Sequence, residues 1–337
     1  MILSSVQVSR LSELLGSCCR LEDPGLVMGL YGNGQPLFRE ARGLANLEHR
    51  IVLTPEMVFR IGSITKPFTA QAVMLLEGEK KLALTDRVCD ILPDLPLDPA
   101  ITVEHLLTHT SGLKNYVELP EWWLTHRQDL SPTELTNLFI TQPPVFEPGS
   151  TWAYNNSGYF LLGLIIERLS GKPYDRFVKE RITDPLNMAH TFYDSANRVI
   201  TGRVYGYQKT DQDCIQAEYL SMTQVFSAGA LASTVDDLAV WMDAFMGGKL
   251  LPEDVFTRMT TPYLMKNGQP TAYGLGWTLN DYHGKNMIEH LGSLPGFSSY
   301  VIAIPAIRLC AVVLSNCDFM NLTPEQIAHR IVAICLD

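Results

Sequence analysis

Ser63 and Lys66 stand three residues apart, at the beginning of an apolar stretch rich in alanine and leucine. The stretch 65–79 predicts a helix, so the two side chains lie one turn apart on one face and can meet. A serine beside a lysine base can attack a carbonyl carbon, and the N–H groups at a helix start suit the oxyanion that forms. The spacing alone is weak support for a catalytic pair, because a serine and a lysine at an ordinary polar helix start have the same spacing.

Two further segments could supply what such chemistry needs, namely a second proton carrier and a strand beside the oxyanion. Tyr154 and Asn156 lie two residues apart, just before an apolar stretch at 159–169 that predicts a helix. The segment His290-Leu291-Gly292-Ser293 ends a predicted strand near the C-terminus. Taken singly, each has an ordinary alternative: a core tyrosine, an asparagine that caps a helix, and a histidine at a strand end.

Ser-x-x-Lys, Tyr-x-Asn and His-x-Gly in this order resemble the serine β-lactamase and penicillin-binding-protein superfamily. The Tyr-x-Asn element makes the chain most similar to class C β-lactamases, D-aminopeptidases, DD-peptidases and family VIII esterases. The resemblance extends from about Gly25 to the C-terminus. Further segments that match this group are 105–113 (HLLTHTSGL), 146–149 (FEPG), 185–188 (PLNM) and 227–231 (SAGAL).

The resemblance implies a role for each motif residue. Ser63 is the nucleophile, and Lys66 and Tyr154 form the proton path, in which either could be the initial base because the two titrate as a coupled pair. The backbone N–H groups of Ser63 and Ser293 form the oxyanion hole, and Asn156 orients the substrate or Lys66. The residues expected to bind substrate are Asn156, His290, Gly292 and Ser293.

His290 bears on the choice of substrate, because many β-lactamases and DD-peptidases of this group carry a lysine there. A histidine is largely neutral near pH 7, so recognition of a substrate carboxylate should be weaker. A carboxylesterase acting on short-chain esters is therefore favoured. The alternatives are a peptidase or amidase specific for D-amino acids, a class C-like β-lactamase, and a non-catalytic penicillin-binding-like protein. The loop 114–130 offers Tyr116, Trp122 and Trp123, which could line an apolar cleft or pack within a lid.

The resemblance implies an α+β fold of the β-lactamase/transpeptidase type, with an antiparallel sheet flanked by helices and an inserted, mostly helical region. We expect a single unit over 1–337, in which 1–80 and 230–337 form the α/β part and 81–229 the helical part. Runs typical of strands agree with this: 25–31, 36–42, 274–279, 287–290, 298–304 and 309–315. Segments 6–19 and 324–336 predict helices that cover the sheet.

Composition limits the possible partners and location. A net charge of −10 argues against nucleic-acid binding, and no apolar run approaches the ~20 residues that span a membrane. The N-terminus lacks a basic region before an apolar core, so we expect a cytoplasmic protein, or a periplasmic one if a leader has been removed. The partner that we expect is a small ester, amide or peptide-like substrate, and the sequence leaves the oligomeric state open.

Cysteine and histidine patterns predict no cofactor. Seven cysteines, two of them adjacent, favour reduced thiols over a disulfide framework. His105 and His109 have the spacing of a metal pair, but the segment lacks the glutamate of His-Glu-x-x-His and its end is typical of a turn. We therefore expect structural histidines and no metal.

Overall fold

The computed structural model describes residues 1–210 and 213–337. Its strands, in chain order, are β1 (Leu26–Gly32), β2 (Gln35–Arg42), β3 (Leu44–Asn46), β4 (Ile51–Val52), β5 (Phe59–Arg60), β6 (Phe192–Tyr193), β7 (Tyr207–Lys209), β8 (Cys214–Gln216), β9 (Leu231–Ser233), β10 (Thr278–Tyr282), β11 (Lys285–Leu294), β12 (Phe297–Ile304) and β13 (Leu309–Ser315).

The α-helices are α1 (Ser5–Cys18), α2 (Thr65–Gly78), α3 (Val88–Ile91), α4 (Val103–Leu107), α5 (Pro120–Thr125), α6 (Pro132–Phe139), α7 (Asn156–Ser170), α8 (Tyr174–Val178), α9 (Phe226–Gly229), α10 (Val235–Met246), α11 (Glu253–Met259) and α12 (Pro324–Leu336). Short 3₁₀ turns lie at Gly62–Ile64, Tyr116–Glu118, Asp184–Leu186, Met222–Gln224 and Pro305–Ile307, and a π-helical turn at Lys179–Thr183.

The main sheet is antiparallel and joins the two ends of the chain. Its strand order is β10-β11-β12-β13-β1-β2, so that Leu26 of β1 faces Ser315 of β13. Side chains alternate between two apolar clusters: Val27 and Val312 belong to one, and Met28 and Val313 to the other. Helices α1 and α12 cover the second cluster and α10 packs against the opposite face. Because both faces are covered, β1 and β13 are apolar along nearly their whole length.

This architecture confirms the predicted fold class, and most predicted sheet elements lie within one to three residues of their expected bounds. One strand is displaced: the prediction at 274–279 is wrong over its first four residues, and β10 begins at Thr278. Gly274 N–H donates to the Trp277 carbonyl, which makes a turn, and Gly276 has a φ of +87° where it packs against α2. A strand cannot begin until the chain has passed this contact.

The middle of the chain, between α2 and β9, contains helices α3 to α9 and the short strands β6 to β8. One buried apolar cluster extends from Val27 to Leu314 and includes residues of the middle region such as Phe160. On this ground we propose that the chain is one unit; its division near residues 80 and 230 stays a prediction. In the described ranges, none of the helices has the length and apolar character needed to cross a lipid bilayer.

Candidate active site

The turn that carries Ser63 is packed tightly against the main sheet. Ile61 N–H donates to the Leu231 carbonyl of β9 (3.0 Å), and Ser299 Oγ of β12 donates to the Ile61 carbonyl (3.0 Å). Gly62 follows with a φ of +52°, and a Cβ there would stand 2.8 Å from Ser293 N. Glycine is therefore required at 62 for the chain to turn into α2 beside β11. This turn brings the backbones of Ser63 and Ser293 together.

Lys66 is the second residue of α2 and is fully buried. Its Nζ lies 3.0 Å from Ser63 Oγ, 2.7 Å from Asn156 Oδ1 and 2.9 Å from the Ala228 carbonyl oxygen. Among the described residues no carboxylate forms an ion pair with it. A neutral amine has two N–H groups and one lone pair, and the two carbonyl-type oxygens can accept only N–H. The lone pair is then left for the proton of Ser63.

Tyr154 and Asn156 lie on either side of the residue that caps α7. The cap is Asn155, whose side chain accepts a hydrogen bond from Gly158 N–H, so the alternative role of Asn156 as a cap is wrong. Asn156 is instead held by Asn115, whose Oδ1 accepts from both the backbone N–H (3.1 Å) and the Nδ2 (3.3 Å) of Asn156. These contacts direct Asn156 Oδ1 to the lysine.

Tyr154 completes the cluster. Its ring lies 4.7 Å from Lys66 Nζ, and its hydroxyl is hydrogen-bonded to Ser63. Behind it the ring of His109 lies 4.4 Å away, and His109 Nδ1 accepts from the Asn155 N–H (3.1 Å). A serine, a lysine and a tyrosine are therefore in mutual contact.

Burial sets the protonation states of the lysine and the tyrosine. Loss of solvation lowers the pKa of Lys66 well below its ordinary value, because the charged ammonium is the form that burial penalises. Burial raises the pKa of Tyr154, and its hydrogen bond with Ser63 opposes that rise only in part. Both effects favour a neutral amine beside a neutral phenol, which is an arrangement able to accept a proton at one atom and donate one at the other.

His290 lies behind the cleft wall and is buried. Its Nδ1 is 2.7 Å from the Leu291 carbonyl oxygen and must donate, so its Nε2 accepts from the Tyr273 hydroxyl at 3.0 Å. Burial lowers the pKa of His290 to about 3. The imidazole is therefore neutral near pH 7. Its direct contact with a substrate stays a prediction.

Ser63 opens into a cleft of about 390 Å³. Asn156 and Ser293 line it, whereas Gly292 is buried behind it, where a Cβ would stand 2.0 Å from the Ile61 carbonyl oxygen. The apolar lining residues include Val117, Trp122, Trp123, Leu220, Val225, Ala228, Leu294 and Pro295. Two carboxylates, Glu218 and Asp318, also border the cleft, but of the described residues no lysine or arginine lines it.

The sequence left open whether the three aromatic residues of the loop 114–130 line the cleft or pack within a lid, and the structure shows both kinds of position. Trp122 and Trp123 line the cleft, while Tyr116 is fully buried and its hydroxyl donates to the Gln224 carbonyl (2.6 Å). The neighbouring residue Asn115, which holds Asn156, was missed by the sequence analysis. So were Tyr273, which carries no motif, and Ala228, although the segment 227–231 gave a signal through its resemblance.

The two histidines with metal-like spacing have structural contacts. His105 Nδ1 accepts from the Thr102 N–H (3.1 Å) in the capping box that begins α4. His109 follows the end of that helix with a φ of +61° and supports the Tyr154 segment. Each ring nitrogen Nδ1 is thus occupied by a backbone donor.

This fold and this arrangement of Ser63, Lys66 and Tyr154 define a β-lactamase-like serine hydrolase. The model of the Beta-lactamase family matches residues 19–335, nearly the whole chain. The chain belongs to the Beta-lactamase family.

Individual relatives agree with the family. The chain is 30% identical over 317 residues to penicillin-binding protein 4* of Bacillus subtilis (strain 168), covering 87% of this chain and 68% of that protein. It is 26% identical to a D-aminopeptidase of Gluconobacter oxydans (strain 621H), covering 94% and 60%. The structure of an octameric penicillin-binding protein homologue from Pyrococcus abyssi superposes with a TM-score of 0.85 at 27% identity, covering 99% of this chain and 78% of that one. The chain spans 60–68% of the length of four curated relatives that it matches.

Proposed function

We propose that the protein hydrolyses esters or amides through an acyl-enzyme on Ser63. The observation that carries this proposal is the buried Lys66 amine, 3.0 Å from Ser63 Oγ and directed by two carbonyl-type oxygens. A buried amine without a carboxylate partner is destabilised in its charged form, which a purely structural lysine would avoid. Such a cost is typical of a residue retained for chemistry.

In the mechanism that we propose, Lys66 is the initial base. It takes the proton of Ser63 as Oγ bonds to the carbonyl carbon, and the N–H groups of Ser63 and Ser293 stabilise the oxyanion. Tyr154 gives its proton to the leaving group as the carbonyl–leaving-group bond breaks, and Lys66 returns a proton to Tyr154. Water then attacks the acyl-enzyme, and its proton passes back along the same path, so that acid and free enzyme are released.

The favoured substrates are short-chain carboxylic esters, as the sequence predicts. The cleft wall is largely apolar, and Trp122 and Trp123 can pack against an acyl chain. A substrate carboxylate would find neither a lysine nor an arginine among the described lining residues, and His290 is neutral there. Penicillins, cephalosporins and peptides with a free C-terminus at this position are therefore disfavoured.

A second candidate is hydrolysis of D-amino-acid amides or peptides with a free ammonium group. The specific observation in its favour is the pair of carboxylates, Glu218 and Asp318, at the cleft border. A carboxylate there could bind an ammonium next to the scissile carbonyl. The relative named as a D-aminopeptidase supports this alternative. Glu218 already contacts Arg127 and His126, which leaves Asp318 as the more available partner.

A substrate panel with a covalent probe tests both candidates. kcat/KM is measured for p-nitrophenyl butyrate, D-alanine p-nitroanilide and a chromogenic cephalosporin, with Ser63→Ala and, as a matched control on α1, Ser9→Ala. A fluorophosphonate should add once, at Ser63, in wild type and Ser9→Ala but not in Ser63→Ala. An adduct elsewhere would contradict the mechanism, and a cephalosporin as the best substrate would contradict the proposed specificity.

A further inference from the structure

A second cavity, of about 510 Å³, adjoins the active cleft. Glu218 and Pro295 line both cavities, so the two share a wall. Arg60, Arg198 and Arg203 line the second cavity, and Arg60 stands three residues before Ser63. Three guanidinium groups around one cavity are notable in a chain whose net charge is −10.

Two of these arginines share a single carboxylate. Asp194 is fully buried, with Arg60 Nε 2.8 Å from its Oδ2 and Arg203 Nη2 2.5 Å from its Oδ1. Arg203 also donates to the Ser195 carbonyl (2.9 Å). One negative charge therefore holds two positive charges in place, and a unit of positive charge is left over.

Arg198 adds a second unit. Its side chain stacks on Phe192, with Cζ 4.4 Å from the ring centroid, and it is exposed. In the described ranges no carboxylate is ion-paired with it. Among the described lining residues the one carboxylate is Glu218, and Arg127 already neutralises it. The positive charge of the cavity is therefore not cancelled locally.

The rest of the wall contains the polar Gln216 but consists mostly of apolar and aromatic residues, which include Val199, Ile200, Val204, Tyr205, Tyr219, Pro295 and Phe297. A guanidinium group binds a carboxylate through two parallel hydrogen bonds, and an apolar wall favours a hydrocarbon stem next to that carboxylate. The fitting ligand is an anionic group at the end of an aliphatic or aromatic chain.

We propose that this cavity is an anion subsite of the active cleft, which binds a carboxylate at the far end of the acyl chain while the scissile carbonyl lies at Ser63. The subsite extends the proposed acyl-enzyme function and rests on it for its catalytic use. The carboxylate that the subsite accepts is remote from the reacting carbonyl. A carboxylate directly beside that carbonyl is disfavoured, because His290 is neutral and the cleft is largely apolar. The substrate class is therefore monoesters or monoamides of dicarboxylic acids.

The kinetic test uses p-nitrophenyl monoesters of diacids from glutaric to sebacic acid, each beside its methyl-capped, uncharged counterpart. At one chain length the free carboxylate should raise kcat/KM by about fivefold, mainly through a lower KM, as a partly exposed ion pair can supply. The preference should shrink in 0.5 M NaCl. Because Arg60 and Arg203 still leave one unit of positive charge, it should shrink in Arg198→Gln, disappear in Arg198→Glu and largely survive in Arg198→Lys.

The matched control is Arg330→Gln, which removes one exposed positive charge from α12 and should keep the full preference. A wild-type enzyme that prefers the capped ester at every chain length overturns the subsite. So does an equal preference in wild type and Arg198→Gln.

A binding measurement separates the subsite from the proposed reaction. Suberate is titrated calorimetrically into Ser63→Ala and into Ser63→Ala/Arg198→Gln, where turnover is impossible. Weaker binding to the double variant supports the subsite even if no ester is hydrolysed. Weaker binding together with an absence of ester hydrolysis would refute the proposed function and leave the subsite standing. Equal binding to both proteins refutes the subsite even if esters are hydrolysed.

Discussion

Asn156→Asp puts a carboxylate where Lys66 Nζ now meets an amide oxygen at 2.7 Å. The new side chain has nearly the same shape; it places a negative charge beside the amine and loses the Nδ2 group that donates to Asn115. This charge stabilises the ammonium form and raises the pKa of Lys66, which burial otherwise lowers. The neutral base then exists only at higher pH.

The size of the effect follows from the short distance. Two unit charges about 4 Å apart attract by about 4 kcal/mol at an effective dielectric constant near 20. Since 1.36 kcal/mol corresponds to one pH unit, the acidic limb of the kcat/KM profile should move upward by about three pH units. At a pH on that limb, kcat/KM should fall about a thousandfold and recover about tenfold for each added pH unit.

The assay is hydrolysis of p-nitrophenyl butyrate between pH 5 and 9.5, corrected for spontaneous hydrolysis. Asn156→Ala is the matched control, because it removes the same amide contacts to Lys66 and Asn115 without adding charge. Its loss of rate should be the same at every pH. If the Asn156→Asp profile has the wild-type midpoint, or if the alanine variant shifts it equally, then the amine at 66 is not the base.

Three further expectations concern other parts of the site. Lys66→Ala and Tyr154→Phe should each lower kcat/KM severely, and the double variant should be scarcely worse than the poorer single one; additive losses would contradict a shared proton path. Gly292→Ala should lower kcat/KM at least a hundredfold and the free energy of unfolding by about 2 kcal/mol, because its Cβ would stand 2.0 Å from a backbone carbonyl oxygen of the Ser63 turn. Gly16→Ala is the control for replacing a glycine without a steric clash, because Gly16 lies in α1 with open space around it. An equal loss of kcat/KM in Gly16→Ala would contradict the steric explanation. Because the pKa of His290 is lowered to about 3, the imidazole stays neutral from pH 8 down to pH 5, so the kcat/KM ratio of a cephalosporin to p-nitrophenyl butyrate should not rise on acidification; a rise would show that His290 becomes a cation.

The parts of the site that the sequence predicts are those that depend on local geometry. Ser63 and Lys66 meet because three residues make about one helical turn, whatever the rest of the chain does. The apolar run at 309–315 has no alternation, which is the pattern of a strand buried on both faces, and β13 has those bounds. The order of the motifs resembles that of the family, and this resemblance predicts that Tyr154 and Asn156 lie beside Ser63 and Lys66.

The parts that the sequence did not predict arise from contacts between distant segments. The Ala228 carbonyl that directs Lys66 is 162 residues away along the chain. Asn115 and Tyr273 carry no motif, and only packing reveals that Asn115 holds Asn156 and that the Tyr273 hydroxyl donates to His290 Nε2. The bounds of β10 likewise depend on how closely Gly276 approaches α2.

The pairing of β1 with β13 has a consequence for biosynthesis. Ser315 Oγ donates to the carbonyl of Gly25, 290 residues earlier, so the sheet's centre forms only after the chain up to residue 315 has left the ribosome. Until then β1 has a neighbour on one side only, and its apolar residues face water. Such distant pairing slows folding and exposes strand edges that can aggregate. We therefore expect the nascent chain to depend on chaperones, and truncations before β13 to be insoluble.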